Sequence, residues 1–206
     1  MVSVAIVYHS GFGHTKAQAE AVARGAKSVP GIAVDVIPAD RAEGRLSDLA
    51  ASDAIIFGAP TYMGSASAAM KRFMEATSKL WATQAWKDKI AAGFTNSASQ
   101  SGDKLNTLVE LAVFAAQHGM VWVGLDLLPG NNSSTGSTAD LNRLGSSLGA
   151  MAQSNADQGP EHGPTASDLK TAEHFGRRVA LAAAAWRRGR QEIAAALADE
   201  ATALAA

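Results

Sequence analysis

The feature that most constrains this chain is a turn near its start, between a buried strand and a helix. An apolar, β-branched run over residues 3–8 predicts the strand, and an alanine-rich helical pattern follows from His14 to Ser28. The turn between them reads Tyr-His-Ser-Gly-Phe-Gly-His-Thr. Because the first amides of a helix lack carbonyl partners and its dipole favours an anion, this turn is suited to hold a phosphate.

The glycine spacing distinguishes three kinds of phosphate loop. The ATP- and GTP-binding loop needs Gly, four residues, then Gly-Lys-Ser/Thr, a pattern that Gly11 and Gly13 do not form. The dinucleotide loop needs a third glycine where Lys16 stands. A short loop around a single terminal phosphate remains, with the hydroxyls of Ser10 and Thr15 as donors. The alternative is a strand, turn and helix that bind nothing.

Composition excludes several functional classes. The 206 residues suit one α/β domain, and the formal charge of −1 does not direct the chain to nucleic acid or to an acidic membrane surface. There are no cysteines, so disulfides and thiolate sites are excluded and a cytoplasmic protein is expected. The N-terminus begins with a strand and no apolar run approaches ~18 residues, so we expect neither secretion nor a membrane span.

Strands alternate with helices along the chain, which predicts right-handed crossovers and a parallel sheet. The later predicted strands are Ile32–Ile37, Ala54–Gly58, Ile90–Phe94 and Met120–Gly124. The later predicted helices are 65–79, 104–118 and one from about Ser167, where Ser167-Asp168 can cap it, towards Arg190 or beyond.

Domain organisation is simple. We expect one domain over residues 1–190 and an alanine-rich helical extension or tail over 191–206. The segment 129–164 is rich in Gly, Ser, Asn and Asp and is too long for an idle connection. It is either a surface loop or a flap or oligomer contact beside the site.

Two further turns meet the first one at the carboxyl edge of such a sheet, where ligands bind. One follows the third strand, where Pro60 stiffens the chain, Gly58 and Gly64 allow close approach and Tyr62 offers a flat ring. The other, 95–103, is a run of small polar residues. The amides of the turn after the third strand could bond the N5 and O4 edge of a flavin. The loop 95–103 could follow the pyrimidine edge of the flavin and stabilise negative charge on its reduced form. The alternative is that both are only turns.

These residues resemble a known family. Ile-Val-Tyr-His-Ser-Gly-Phe-Gly-His at 6–14, Asp-Ala-Ile-Ile-Phe-Gly-Ala-Pro-Thr at 53–61, Leu-Trp-Ala at 80–82 and His-Gly-Met-Val at 118–121 are similar to the WrbA-type NAD(P)H:quinone oxidoreductases. The resemblance implies a flavodoxin-like, three-layer α/β fold with a five-stranded parallel sheet in the order 2-1-3-4-5 and helices on both faces. It also implies non-covalent FMN and a tetramer.

The resemblance assigns the site residue by residue. The phosphate and ribityl chain would lie on Ser10, Gly11, Phe12, Gly13, His14 and Thr15. The isoalloxazine would lie on Pro60, Thr61, Tyr62, Met63 and Gly64. Its other edge would follow the second loop, with Thr95, Asn96, Ser97, Ser99, Gln100, Gly102 and Asp103. His118 matches a family histidine near the flavin and substrate cavity, and Trp81 matches a residue that reaches a neighbouring subunit's site.

The implied activity is two-electron reduction of a quinone by NAD(P)H through FMN, in a ping-pong sequence. Tyr62, Trp81 and His118 are the candidates for stacking walls and substrate contacts. No metal site is expected, because the five histidines lack metal-ligand spacing. The expected partners are quinone, nicotinamide nucleotide and further copies of the chain, as a dimer or tetramer. Two alternatives remain: a flavodoxin-type electron carrier or regulatory FMN module without turnover, and a flavin-free interaction protein.

Overall fold

A parallel sheet covered by helices on both faces forms the fold in the computed structural model, which describes residues 1–204 and the side chains of residues 1–201. The strands are β1 (Val2–Tyr8), β2 (Ile32–Pro38), β3 (Ala54–Tyr62), β4 (Ser65–Ala66), β5 (Ile90–Ser97), β6 (Val121–Trp122) and β7 (Ala150–Gln153). The helices are α1 (His14–Lys27), α2 (Ala39–Ala42), α3 (Leu46–Ala51), α4 (Ala68–Ala76), α5 (Ser78–Ala82), α6 (Lys104–Gln117) and α7 (Ala166–Leu204), with a 3₁₀ turn at Glu43–Arg45.

The strand order confirms the predicted sheet, with one correction to the number of strands. The order is β2-β1-β3-β5-β6, and all pairs in this path are parallel. The fifth position, however, is shared by two short strands: Val121 pairs with Ile90, and Ala150 pairs with Phe94 further along β5. The chain leaves the sheet after β6 and returns as β7, so the predicted five strands become seven when the short hairpin strand β4 is included.

The excursion between β6 and β7 is anchored by Asn142. Its side-chain amide donates to the carbonyls of Leu127 and Ser146, both at 2.9 Å. Its backbone amide donates to the hydroxyl of Thr171 on α7 at 2.8 Å. Part of the long segment predicted at 129–164 is therefore a packed excursion, after which the chain returns to pair with the end of β5 as β7.

Two predicted element boundaries and one predicted helix cap are wrong. β3 runs through the expected turn to Tyr62, and Ser65–Ala66 pairs antiparallel with its end instead of starting a helix. The predicted helix over 65–79 is divided at Thr77, whose hydroxyl donates to the Met74 carbonyl at 2.7 Å. The last helix is capped by Thr165, whose hydroxyl accepts from the Asp168 amide at 3.3 Å.

One apolar cluster fills each face of the sheet. On one face α1 packs on α7 at very close range, because a Cβ at Gly25 would overlap the carbonyl oxygen of Glu173. On the other face Phe57, Trp86 and Phe114 form an aromatic core, with ring centroids 5.3–6.2 Å apart. Two rigid faces of this kind fix the strand ends in space.

α7 continues without a break through the boundary expected at residue 190. Residues 205–206 of the predicted tail lie outside the described part of the chain. Within residues 1–204, no helix combines the length and apolarity needed to cross a membrane.

Candidate flavin site

A cavity of about 230 Å³ opens at the carboxyl edge of the sheet. It lies where the turn after β1, the end of β3 and the end of β5 meet, and the segment after β7 closes one side. Its walls are formed by Ser10, Phe12, His14, Thr15, Pro60, Thr61, Tyr62, Asn96, Ser97, Ala98, Ser154 and Ala156. The three turns predicted from the sequence therefore meet at one cavity.

The start of α1, where the sequence predicts a phosphate, forms one end of the cavity. Gly13 takes a left-handed φ of 88° just before the helix, which makes no side-chain capping bond and has no acidic residue in its first turn. The Ser10 hydroxyl is buried without a hydrogen-bond partner, and it lines the same cavity. Since an unpaired buried hydroxyl is costly, a ligand oxygen at this helix end fits both the hydroxyl and the free amides.

Tyr62 forms an aromatic wall over the phosphate turn. A Cβ placed on Gly11 would lie 2.6 Å from the Tyr62 hydroxyl, so a side chain at residue 11 would displace the Tyr62 ring. Phe12 meets the ring edge-on, with centroids 6.3 Å apart. Burial raises the pKa of Tyr62, and a hydrogen bond from the Gly11 backbone opposes the rise. Tyr62 is therefore a neutral, flat surface at neutral pH.

A chain of hydroxyls fixes the strand ends beneath the cavity. Thr61 Oγ1 lies 2.8 Å from both Thr95 Oγ1 and Thr107 Oγ1. Asn96 Oδ1 accepts from the Ser154 hydroxyl at 3.0 Å. Thr95 is fully buried, so it supports the cavity from below and does not line it.

The loop after β5 is held by a buried lysine that sequence reasoning missed. Lys104 is only 1% exposed, and its ammonium donates to Ser97 Oγ at 2.8 Å, the Ser99 carbonyl at 2.9 Å and the Gln100 carbonyl at 2.8 Å. Burial lowers the pKa of Lys104 to about 8. In residues 1–201, no carboxylate oxygen lies within 4 Å of this ammonium. A positive charge therefore lies one side chain from the cavity wall.

A buried ion pair supports the same loop from behind. Arg143 binds Asp168 through two bonds of 2.8 and 2.7 Å, and Asp168 also accepts from the Gln153 amide at 2.9 Å. The Gln153 side chain donates to the Ala98 carbonyl at 2.8 Å. The excursion, β7, α7 and the loop after β5 are thus one connected unit.

The stretch after β7 closes on the phosphate turn. His14 Nε2 donates to the Gln158 carbonyl at 2.9 Å, and Pro160 packs against Gly13. With Ser154 and Ala156, these residues form a wall that no local sequence pattern indicates, because they lie about 140 residues beyond the turn they cover.

Not every predicted residue lies on the cavity. Met63 points into solvent with a φ of 49°, next to Gly64 with a φ of 85°. In the loop after β5, Ser97 and Ala98 line the cavity. The residues that follow in this loop do not line it: Ser99, Gln100, Gly102 and Asp103.

His118 and Trp81 lie away from this cavity. α6 begins beside the cavity at Lys104 and carries His118 to its far end, where it lines a separate pocket together with Trp81. His118 Nε2 bonds the Thr77 hydroxyl at 2.9 Å, its ring lies 4.5 Å from that of Trp86, and burial lowers its pKa. Within one chain these two residues do not meet the cavity, so a role at a flavin stays a prediction that needs a neighbouring subunit.

The sheet order and the phosphate turn at α1, with two further loops at the same edge, define a flavodoxin-like protein. A family model described as NADPH-dependent FMN reductase matches residues 36–129. The chain is 42% identical to flavodoxin FldP of Pseudomonas aeruginosa over 185 residues, which cover 87% of this chain and 96% of that protein.

Two further relatives narrow the assignment. The chain is 32% identical to an NAD(P)H dehydrogenase (quinone) of Geotalea uraniireducens over 205 residues, covering 89% of this chain and 98% of that one. The crystal structure of a WrbA-like flavodoxin from Agrobacterium tumefaciens shares 40% identity and a TM-score of 0.68, over 89% of this chain and 98% of that one. The chain belongs to the WrbA-type NAD(P)H dehydrogenase (quinone) family.

Proposed function

We propose that this protein is an FMN-dependent oxidoreductase that transfers two electrons from NAD(P)H to a quinone. The observation that carries the proposal is the buried, unpartnered hydroxyl of Ser10 at the uncapped start of α1, inside a cavity with an aromatic wall. The family supports FMN as the cofactor and NAD(P)H and quinone as the substrates. FMN, when bound, supplies the hydride-accepting and hydride-donating chemistry.

The chain's own residues would bind FMN and orient it towards its substrates. Ser10, Thr15 and the first amides of α1 would hold the phosphate, and Tyr62 would pack along the flat ring system and exclude water. Asn96 and Ser97 would hold the polar edge of the ring. Since no protein acid is needed for hydride transfer, the main contribution of the protein is the position of each reactant. Nicotinamide and quinone would use the same open face in turn, as a ping-pong sequence requires.

Assembly and location belong to the same proposal. His118 and Trp81 line a pocket away from the cavity, so they would reach a flavin only across a subunit contact. This favours a homo-oligomer, as a dimer or tetramer, in which one copy completes the substrate site of another. A cytoplasmic location is part of the proposal and rests on the cysteine-free sequence.

The first test is the visible spectrum of the purified protein before and after anaerobic NADH or NADPH, followed by benzoquinone. We expect flavin absorption that bleaches with nicotinamide and returns with quinone. Replacing the two phosphate donors together, Ser10→Ala with Thr15→Ala, should lower the flavin content. The matched control is Ser47→Ala with Thr83→Ala, which removes two exposed hydroxyls elsewhere. Equal flavin content in both double variants would refute the assignment of the turn.

The second candidate is an electron carrier without turnover of its own, which the relative named flavodoxin favours. A carrier would bind FMN through the same turn, so the double variant does not separate the two functions. Nicotinamide does: a yellow protein that neither NADH nor NADPH bleaches would support the carrier and contradict the oxidoreductase.

A further inference from the structure

The last helix extends beyond the body of the protein. Trp186, Arg187 and Arg190 tie its base to the body: the Trp186 indole donates to the Asp88 carbonyl at 2.7 Å, Arg187 pairs with Asp53 at 2.8 Å, and Arg190 donates to the Asp88 carbonyl at 3.2 Å. Every residue from 191 to 201 is exposed. At 1.5 Å per residue, the helix extends about 20 Å from Arg190 to Leu204. The exposed apolar side chains of this extension stabilise it only if something packs against them.

An apolar stripe runs along one face of this extension. Trp186, Ile193 and Leu197 are spaced by seven and four residues, so their side chains share one face of the helix. They are 39%, 63% and 60% exposed. At the base of the stripe lies an almost entirely apolar groove lined by Ile90, Ala185 and Trp186, with open space at Gly189. The stripe and groove are therefore one continuous surface of the kind that another helix covers.

The charges on the extension differ in net sign between its two ends. The base carries Arg187, Arg188 and Arg190 with Glu192, three positive charges and one negative, and the tip carries Asp199 and Glu200. A parallel neighbour of the same sequence would place like charges together. An antiparallel neighbour of the same sequence would place the acidic tip of each helix beside the basic base of the other. The segment is thus complementary to itself in one orientation only.

We propose that the surface formed by residues 186–201 of α7 binds the same segment of a second copy of this chain, antiparallel. The register follows from the spacing: 190, 193, 197 and 200 are separated by three, four and three residues, which is symmetric about residue 195. Ile193 of one copy then lies opposite Leu197 of the other, and Arg190 lies opposite Glu200. Such a contact is at the small end of specific interfaces, so dissociation is expected at about micromolar concentrations.

Sedimentation velocity of the full chain over a concentration series tests the apolar part. We expect Ile193→Asp to halve the mass at concentrations where the wild-type chain is associated, because a carboxylate on the stripe must lose its water there. Ala195→Asp is the matched control, since Ala195 is exposed on the opposite face of the same turn. It should leave the mass unchanged. Helix content by circular dichroism reports whether each variant is folded. Equal mass of the wild-type and Ile193→Asp chains at every concentration would overturn the proposal.

A charge exchange tests the orientation. Arg190→Glu and Glu200→Arg should each weaken association, because each places like charges opposite one another, and the double variant should restore it. Arg190 also lies 3.5 Å from Asp88 on its own chain, but a purely local effect at that position would not be rescued by a change at residue 200. Failure of the double variant to associate more tightly than both single variants would overturn the antiparallel register. If Ile193→Asp changed retention on lipid vesicles but not the mass, the stripe would be a membrane contact and the proposal would be wrong.

Discussion

Replacing Lys104 by methionine isolates the role of the buried charge beside the cavity. Methionine keeps an unbranched apolar chain of similar length and removes the ammonium with its three hydrogen bonds to the loop after β5. Hydrogen bonds from a charged group contribute about 1.5–3 kcal/mol each. Against this, lowering the pKa from 10.5 to about 8 means that burial costs the charged form roughly 3 kcal/mol. The three bonds together outweigh this cost, so we expect Lys104→Met to destabilise the apo-protein by about 1–6 kcal/mol.

FMN affinity should also fall. Without Lys104, the carbonyls of Ser99 and Gln100 lose their common donor, and Ser97 loses the bond that fixes it on the cavity wall. The cavity also loses a positive charge that has no carboxylate partner within 4 Å in residues 1–201. We expect Lys104→Met to weaken FMN binding by about 10- to 100-fold, which corresponds to one charge-assisted hydrogen bond.

The pH dependence gives a second readout that a loose loop alone would not produce. In the free protein, burial lowers the pKa of Lys104 to about 8. The charge of Asp168 opposes this decrease, and the charge of Arg143 adds to it. An anionic ligand favours the ammonium, so the bound form has the higher pKa. Affinity for FMN should therefore fall as the pH rises above about 8, and Lys104→Met should lack this decrease.

Quenching of FMN fluorescence by the apo-protein at pH 7 and pH 9 measures both effects. Lys170→Met is the matched control, because it removes an exposed lysine of α7 and should bind FMN as the wild type does at both pH values. If Lys104→Met binds FMN within twofold of wild type and retains the same decrease between pH 7 and pH 9, the reasoning about the buried charge is refuted.

Two more predictions concern stability. Gly25→Ala should destabilise the fold by about 1–3 kcal/mol, because its Cβ would overlap the Glu173 carbonyl oxygen between α1 and α7, whereas Gly44→Ala, which meets nothing within 4 Å, should be nearly neutral in thermal unfolding. Burial lowers the pKa of His118, so the unfolded chain binds a proton more readily than the folded one. Stability should fall as the pH drops below about 6.5, and the melting temperature of His118→Gln should fall less than that of wild type; an identical fall would contradict the assignment.

The phosphate turn could be predicted from the sequence because its geometry is local. Ser10 to Thr15 are contiguous, and a strand that ends before a helix start fixes where their amides and hydroxyls point. The same holds for the sheet order, since alternating strands and helices allow few arrangements. The turn after β3 was placed at the right edge, although Pro60 and Thr61 belong to the strand itself.

The lysine beneath the cavity could not be predicted in this way. Lys104 begins a helix next to Asp103, and that position ordinarily places a lysine in solvent. It is buried because the loop after β5 folds back and turns two carbonyls and a hydroxyl towards it. The path of that loop depends on Gln153 and on the excursion behind it. This path supplies the hydrogen bonds that offset the cost of burying the Lys104 ammonium.

The class of fold, the sheet edge at which the three turns meet and the turn proposed to hold a phosphate could all be read from the sequence. These depend on periodicity and on neighbours within a few residues. The tertiary structure alone decided which distant residues complete the cavity, bringing Ser154 and Ala156 to the turn after β1, and which predicted residues stay away from it. A helix of 14 residues spans about 20 Å, so α6 separates His118 from the cavity at its other end. Contacts between residues far apart in the chain depend on such distances and on packing.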